Sequence, residues 1–172
     1  TKKSVTDETK SDEDEKLKDL KQKNYERSVK VGLLSIFEKN YLKLLKLCPS
    51  LESDLKNFRN GDTLYSLSSS AGYMDFVCEV LDHDKTGYYM SLGHYYVQNG
   101  DVMSDPDMEI FVNIDNKTCF ALNITQSNYG FKSVYDDKYK RKMINTRESD
   151  SQNKFLGVWL KNLIEQDHEI SF

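Results

Sequence analysis

A chain of 172 residues, 38% hydrophobic and 30% charged with a formal net charge of −4, has the length of one ordinary domain. Its composition is that of a folded protein with a heavily charged exterior, which excludes collagen-like and wholly disordered classes. No apolar run approaches the ~18 to 20 residues of a membrane span. No hydrophobic leader stands behind Thr1, so a cytoplasmic protein is expected.

Residues 1–24 form a polar, charged extension, expected to be partly disordered or helical, because it offers too little apolar surface to offset its ordering entropy. Residues 25–172 are expected to form a single α+β domain. From Tyr25 an apolar stripe runs through Val29, Leu33, Ile36, Phe37, Tyr41, Leu44 and Leu45 at spacings of three or four residues. That spacing predicts one amphipathic helix ending near Leu47, where Pro49 prevents continuation. Leu51 to Phe58 can add a short helix, Asn60-Gly61-Asp62 marks a turn, and Thr63 to Leu67 reads as a short strand.

Alternation then becomes clear. Met74, Phe76, Cys78 and Val80 share one face of Tyr73 to Leu81. Tyr88 to Gln98 alternates Tyr89, Ser91, Gly93, Tyr95 and Val97 against Tyr88, Met90, Leu92, His94 and Tyr96. Asn99-Gly100-Asp101 signals a reversal, after which an acidic, turn-rich stretch leads to Met108. Strands are predicted over Met108 to Ile114, Phe120 to Ile124 and Phe131 to Tyr135, followed by a polar loop from Asp136 to Ser149. Phe155, Leu156, Trp159, Leu160, Leu163 and Ile164 then repeat at helical spacing, predicting a closing helix from about Ser151 to Gln166 with Asp150 or Ser151 as its cap. The expected fold is a two-layer α+β architecture: an antiparallel meander of about four or five strands packed on one face against the N-terminal and C-terminal helices.

Several segments carry a resemblance: Asn40-Tyr41-Leu42-Lys43-Leu44-Leu45, His94-Tyr95-Tyr96 through Asp107-Met108-Glu109, Asn128-Tyr129-Gly130 leading to Val134-Tyr135, and Asn153-Lys154-Phe155-Leu156-Gly157-Val158-Trp159-Leu160. Together they resemble an uncharacterised domain-of-unknown-function family carried on bacterial conjugative transposons and phages. The resemblance covers about residues 29–166. It implies a compact α+β domain and a mobile-element origin, and it supplies no active-site residues.

Candidate chemistry is sparse. Pro106-Asp107 followed by Asp115-Asn116-Lys117 has the outline of a metal-dependent nuclease, in which carboxylates hold a divalent ion beside a lysine. Asp115 and Lys117 fall on an expected hairpin turn, however, which favours a solvated turn. Asp101, Asp105, Asp107 and Glu109 do not have the spacing of a calcium loop. His83, His94 and His168 are isolated, without zinc-ligand spacing. Cys48, Cys78 and Cys119 are an odd set at unrelated spacings and read as reduced thiols. No catalytic residue, metal ligand or cofactor is assigned.

Charge is the informative property. Between Tyr73 and Asp115 there are nine acids and one base, Lys85, a formal −8. Such a region repels nucleic-acid backbone and attracts basic protein surfaces. The candidate partner-binding residues are therefore Asp82, Asp84, Tyr88, Tyr95, Asp101, Asp105, Asp107 and Glu109, with Tyr89 and Tyr96 as further contact area. The expectation is a non-enzymatic inhibitor or accessory protein of a mobile element. It would dock on the basic groove of a host defence protein, such as a CRISPR effector nuclease, in the manner of an anti-CRISPR. The alternative is a nucleic-acid-binding accessory protein using the basic loop Lys138, Tyr139, Lys140, Arg141 and Lys142. A nuclease built on Asp107, Asp115 and Lys117 ranks third.

Overall fold

The computed structural model describes residues 5–136 and 143–172. The chain divides into two units, residues 1–35 and residues 36–172. In the first, Val5–Val31 forms helix α1. Its exposed surface is laced by local i,i+4 contacts, Lys23 Nζ to Asp19 at 2.7 Å and Gln22 Nε2 to Glu26 at 2.8 Å.

The single N-terminal helix expected from the sequence is two helices. Gly32 adopts φ 70°, a left-handed conformation that ends a helix at low cost, and α2 begins afresh at Ile36 and runs to Leu47. The apolar stripe misled because its spacing stays helical across the break, whereas Leu33 is left 77% exposed.

The second unit holds α2, α3 (Leu51–Asn57), a six-stranded antiparallel sheet and α4 (Thr146–Glu165). The strands are β1 (Leu64–Ser68), β2 (Asp75–His83), β3 (Tyr88–Gln98), β4 (Asp101–Asn113), β5 (Thr118–Gln126) and β6 (Gly130–Ser133), paired in chain order as a meander. The α+β class and the covering helices are as expected. The sheet gains a strand because Leu64–Ser68 pairs with β2 in full register. A two-residue pair, β7 (Tyr135–Asp136) with β8 (Met143–Ile144), joins the end of the strand expected over Phe131 to Tyr135 to the stretch expected to be a loop. Helix α4 starts earlier than expected: the Asn145 side chain caps it by accepting from the Glu148 N–H at 3.0 Å, so Asp150 and Ser151 lie inside the first turns.

The core fills the space between one sheet face and the helices. Phe76, Cys78 and Val80 of β2, Met90 and Leu92 of β3, and Met108, Ile110 and Val112 of β4 meet Tyr41, Leu44 and Leu47 of α2 and Leu156, Leu160 and Leu163 of α4, all buried. Helices α2 and α4 approach closely at Gly157, where an added Cβ would lie 2.8 Å from Asn40 Oδ1. Asn40 Nδ2 donates to the Asn153 carbonyl at 3.0 Å, and Lys43 Nζ donates to the Gly157 carbonyl at 3.0 Å. Asn153 in turn accepts the Ala121 N–H at 2.9 Å, which pins α4 to β5. The three cysteines are buried free thiols; burial raises Cys48 to about 11 and Cys119 to about 12, and pushes Cys78 well up.

Candidate functional site

With both sheet-covering helices on one side, the alternation of each strand sends its other side chains to an open face. The register sets this face in rows that cross the strands. One row runs Tyr65, Glu79, Ser91, Glu109, Asn123, Ser133; the next runs Leu67, Val77, Gly93, Asp107, Thr125, Phe131. Asp82 pairs with Tyr89, and Asp75 with Tyr95, at the two ends of the same face. Asp75, Glu79, Asp82, Asp107 and Glu109 are thus presented together. Lys132, the one lysine or arginine in strands β1–β6, occupies the register position of buried Ile124 and faces the other way.

Neutral side-chain donors hold three of these carboxylates in place. Glu109 accepts from Asn123 Nδ2 at 3.0 Å. Asp107 accepts from Ser91 Oγ at 3.4 Å and from Ser104 Oγ at 3.3 Å, and Asp75 accepts from Ser69 Oγ at 2.6 Å. Among the described residues, none of the five lies within ion-pair distance of a lysine or arginine. The face therefore keeps its negative charge, on rigid strands instead of loops.

From the Asp75 end of the face, Tyr95 reaches in toward Asp107 and Glu79. Its ring leans over Gly93, where an added Cβ would come within 3.0 Å of the ring edge. Burial raises the phenol above its usual range, and Asp107 and Glu79 raise it further. Tyr89 and Phe111 meet edge to face on the same side, ring centroids 5.1 Å apart. At the far end β3 and β4 outrun their neighbours, and the Val97–Val102 pair stands 71% exposed on both strands.

The other sequence candidates scatter. Asp84 is a turn-forming residue: it accepts from Thr86 N–H, Thr86 Oγ1, Gly87 N–H and Tyr89 O–H, which hold its carboxyl down at about 2. Tyr88 faces the helices, packed against the core and 5.9 Å from the His83 ring, so it does not share a surface with Tyr95. Asp101 lies at the hairpin tip, paired with Gln98, nine residues and roughly 30 Å along β3 from Tyr89. Asp105 accepts from Ser127 N–H at 3.2 Å and Oγ at 2.6 Å, fastening β4 to the β5–β6 turn beside the cis Asp105–Pro106 peptide. The acidic connection expected before Met108 is itself strand, with an irregularity between Gly93 and Tyr95. Lys138, Tyr139, Lys140, Arg141 and Lys142 lie outside the described residues.

The nuclease constellation is not assembled. Asp107 is on the open face, Asp115 is eight residues on, past the end of β4, and Lys117 turns toward α3, 3.3 Å from Glu52 Oε1. Among the described residues, no three His, Cys, Asp or Glu side chains are grouped as metal ligands would be, and no helix is long and apolar enough to cross a membrane.

Sequence reasoning missed two features. Glu79 and Asp75, which the alternation sets opposite Phe76, Cys78 and Val80 but which were not among the partner-binding candidates, complete the acidic face once the register is known. A buried polar cluster also links β2, β3, α4 and the C-terminal tail. Trp159 Nε1 donates to His94 Nε2 at 3.0 Å, so His94 carries its proton on Nδ1 and donates it to the Asp75 carbonyl at 3.0 Å. His168 Nδ1 meets Ser68 Oγ at 2.9 Å, with the two imidazoles 6.2 Å apart. Burial, then neighbouring His94, lowers the His168 pKa. A cleft of about 190 Å³ opens beside it, lined by His94, Pro106, Phe155, Val158 and Trp159 among others.

Comparison with family models matches residues 39–169 to a domain of unknown function, DUF6908. No curated protein and no solved structure gives a match.

Proposed function

The chain belongs to the DUF6908 family, and on that premise we propose that it is a non-enzymatic protein-binding module whose open sheet face docks on a basic surface of another protein. One observation carries the reading: five carboxylates share a single rigid face, and among the described residues no lysine or arginine lies within ion-pair distance of them. Holding like charges together costs electrostatic energy in the free protein, and a cationic partner relieves that cost on binding. Tyr65, Tyr89, Tyr95 and Phe111 interleave the acids with aromatic area of the kind that dominates interface energetics.

In its concrete form the basic surface is a groove built for nucleic acid, with the carboxylates standing in for phosphates. A host defence protein such as a CRISPR effector nuclease is the target class, and the chain is an inhibitor or accessory of a mobile element.

The test is capture of a purified CRISPR effector nuclease with a basic nucleic-acid groove by the wild-type chain and by the Asp107→Lys/Glu109→Lys double variant, with folding verified by circular dichroism. Capture that weakens with salt and is abolished by the reversal supports the proposal. Capture untouched by the reversal removes the open face as the docking site. Salt-sensitive DNA binding that is lost on neutralising Lys140, Arg141 and Lys142 would support the nucleic-acid-binding alternative in its place.

A further inference from the structure

We infer that the occupant of this face is a basic amphipathic helix of the partner, about 18 residues long, lying along the β3–β4 track; this rests on the docking reading above and names the form of its ligand. The track has three zones on the open side. Tyr89 and Phe111 form an aromatic end, Glu79, Asp107 and Glu109 form the acidic middle with Tyr95 beside Asp107 and Glu79, and Val97 with Val102 form an apolar far end. Tyr89 to Val97 spans eight residues of strand, roughly 27 Å, which is the length of about 18 helical residues.

Two observations select a helix. Along the aromatic and acidic zones, Tyr89 to Tyr95 of β3 and Asp107 to Phe111 of β4, both strands pair on both sides, so their backbone groups are already used there and an added strand has nothing to bond. Contact must come through side chains, and a helix supplies one continuous stripe of them. The covered side of the same sheet is already packed by α2 and α4, so a helix on the open side completes a three-layer arrangement. Charge complementarity fixes the stripe: lysine or arginine in the central turns against Glu79, Asp107 and Glu109, and apolar residues at each end. A second copy of the same face is disfavoured, because it would set acid against acid.

Two synthetic 18-residue peptides of identical composition test this with the intact chain. One places central lysines between terminal leucines on a single helical stripe; the other permutes the residues so that no stripe exists. Fluorescence titration is expected to show the striped peptide binding at least about ten-fold more tightly. Its binding should be lost with Glu109→Lys and weakened about ten-fold with Val97→Asp, both variants retaining wild-type circular dichroism.

Equal binding of both peptides, still abolished by Glu109→Lys, overturns the helix inference while the acidic docking face stands. Binding of neither peptide overturns the helix inference, and together with nuclease capture indifferent to the double reversal it overturns the docking reading too. Self-association of the free chain, seen by sedimentation and lost with Val97→Asp, would place a second copy on the face and overturn the inference.

Discussion

His168 is buried with its Nδ1 against Ser68 Oγ, and its pKa is lowered mainly by burial and then by His94. A histidine kept neutral in the fold binds its proton more readily once unfolded, so stability is fully present above the ordinary value of 6.5 and is lost as pH falls through the lowered one. The urea midpoint should therefore drop between about pH 7.5 and about pH 5, and His168→Gln should flatten that slope; an unchanged slope in the variant would assign the acid sensitivity elsewhere. Trp159→Phe keeps the ring but strands His94 Nε2, which should cost about 1–3 kcal/mol in urea unfolding. At Gly157 the new methyl of Gly157→Ala would meet Asn40 Oδ1 at the α2–α4 approach, and a loss of about 1–3 kcal/mol is expected. The buried thiols of Cys48, Cys78 and Cys119 should resist alkylation in the native chain and react on unfolding.

The strands and the closing helix were legible because each has one buried and one exposed face, which writes a period of 2 or 3.6 into the sequence. Phe76, Cys78 and Val80 announce β2 in this way, and Leu156, Leu160 and Leu163 announce α4. The break between α1 and α2 was not legible, because a single glycine at φ 70° interrupts a helix without disturbing the spacing of the residues around it. Asp101–Asp107 was hidden for the opposite reason: acids and a proline read as a turn, yet the segment pairs with β3 around a local irregularity. The candidate site was legible only in part. The excess of carboxylates is a property of composition, whereas their sorting into Asp107 and Glu109 on the face, Asp84 in a turn and Asp105 in a clamp is a property of register and hydrogen bonding. Asp84→Ala should accordingly destabilise the β2–β3 turn and weaken partner binding far less than Glu109→Lys, as measured by unfolding and titration on the same sample.

At the scale of the second unit, residues 36–172, the two sides of one sheet have different fates. One is sealed by α2 and α4 around an apolar core; the other holds acids, tyrosines and an exposed valine pair, with no layer above them among the described residues of this unit. A solvated face is ordinary for an antiparallel sheet; under the docking proposal it is the sign of this one that selects a cationic partner. Carbodiimide labelling of the carboxylates, read by mass spectrometry in the free chain and in its complex with a basic partner, tests that claim most directly. Protection of Glu79, Asp107 and Glu109 with unchanged labelling of Asp84 is the expected result, and undiminished labelling of those three in a complex that has formed would contradict it.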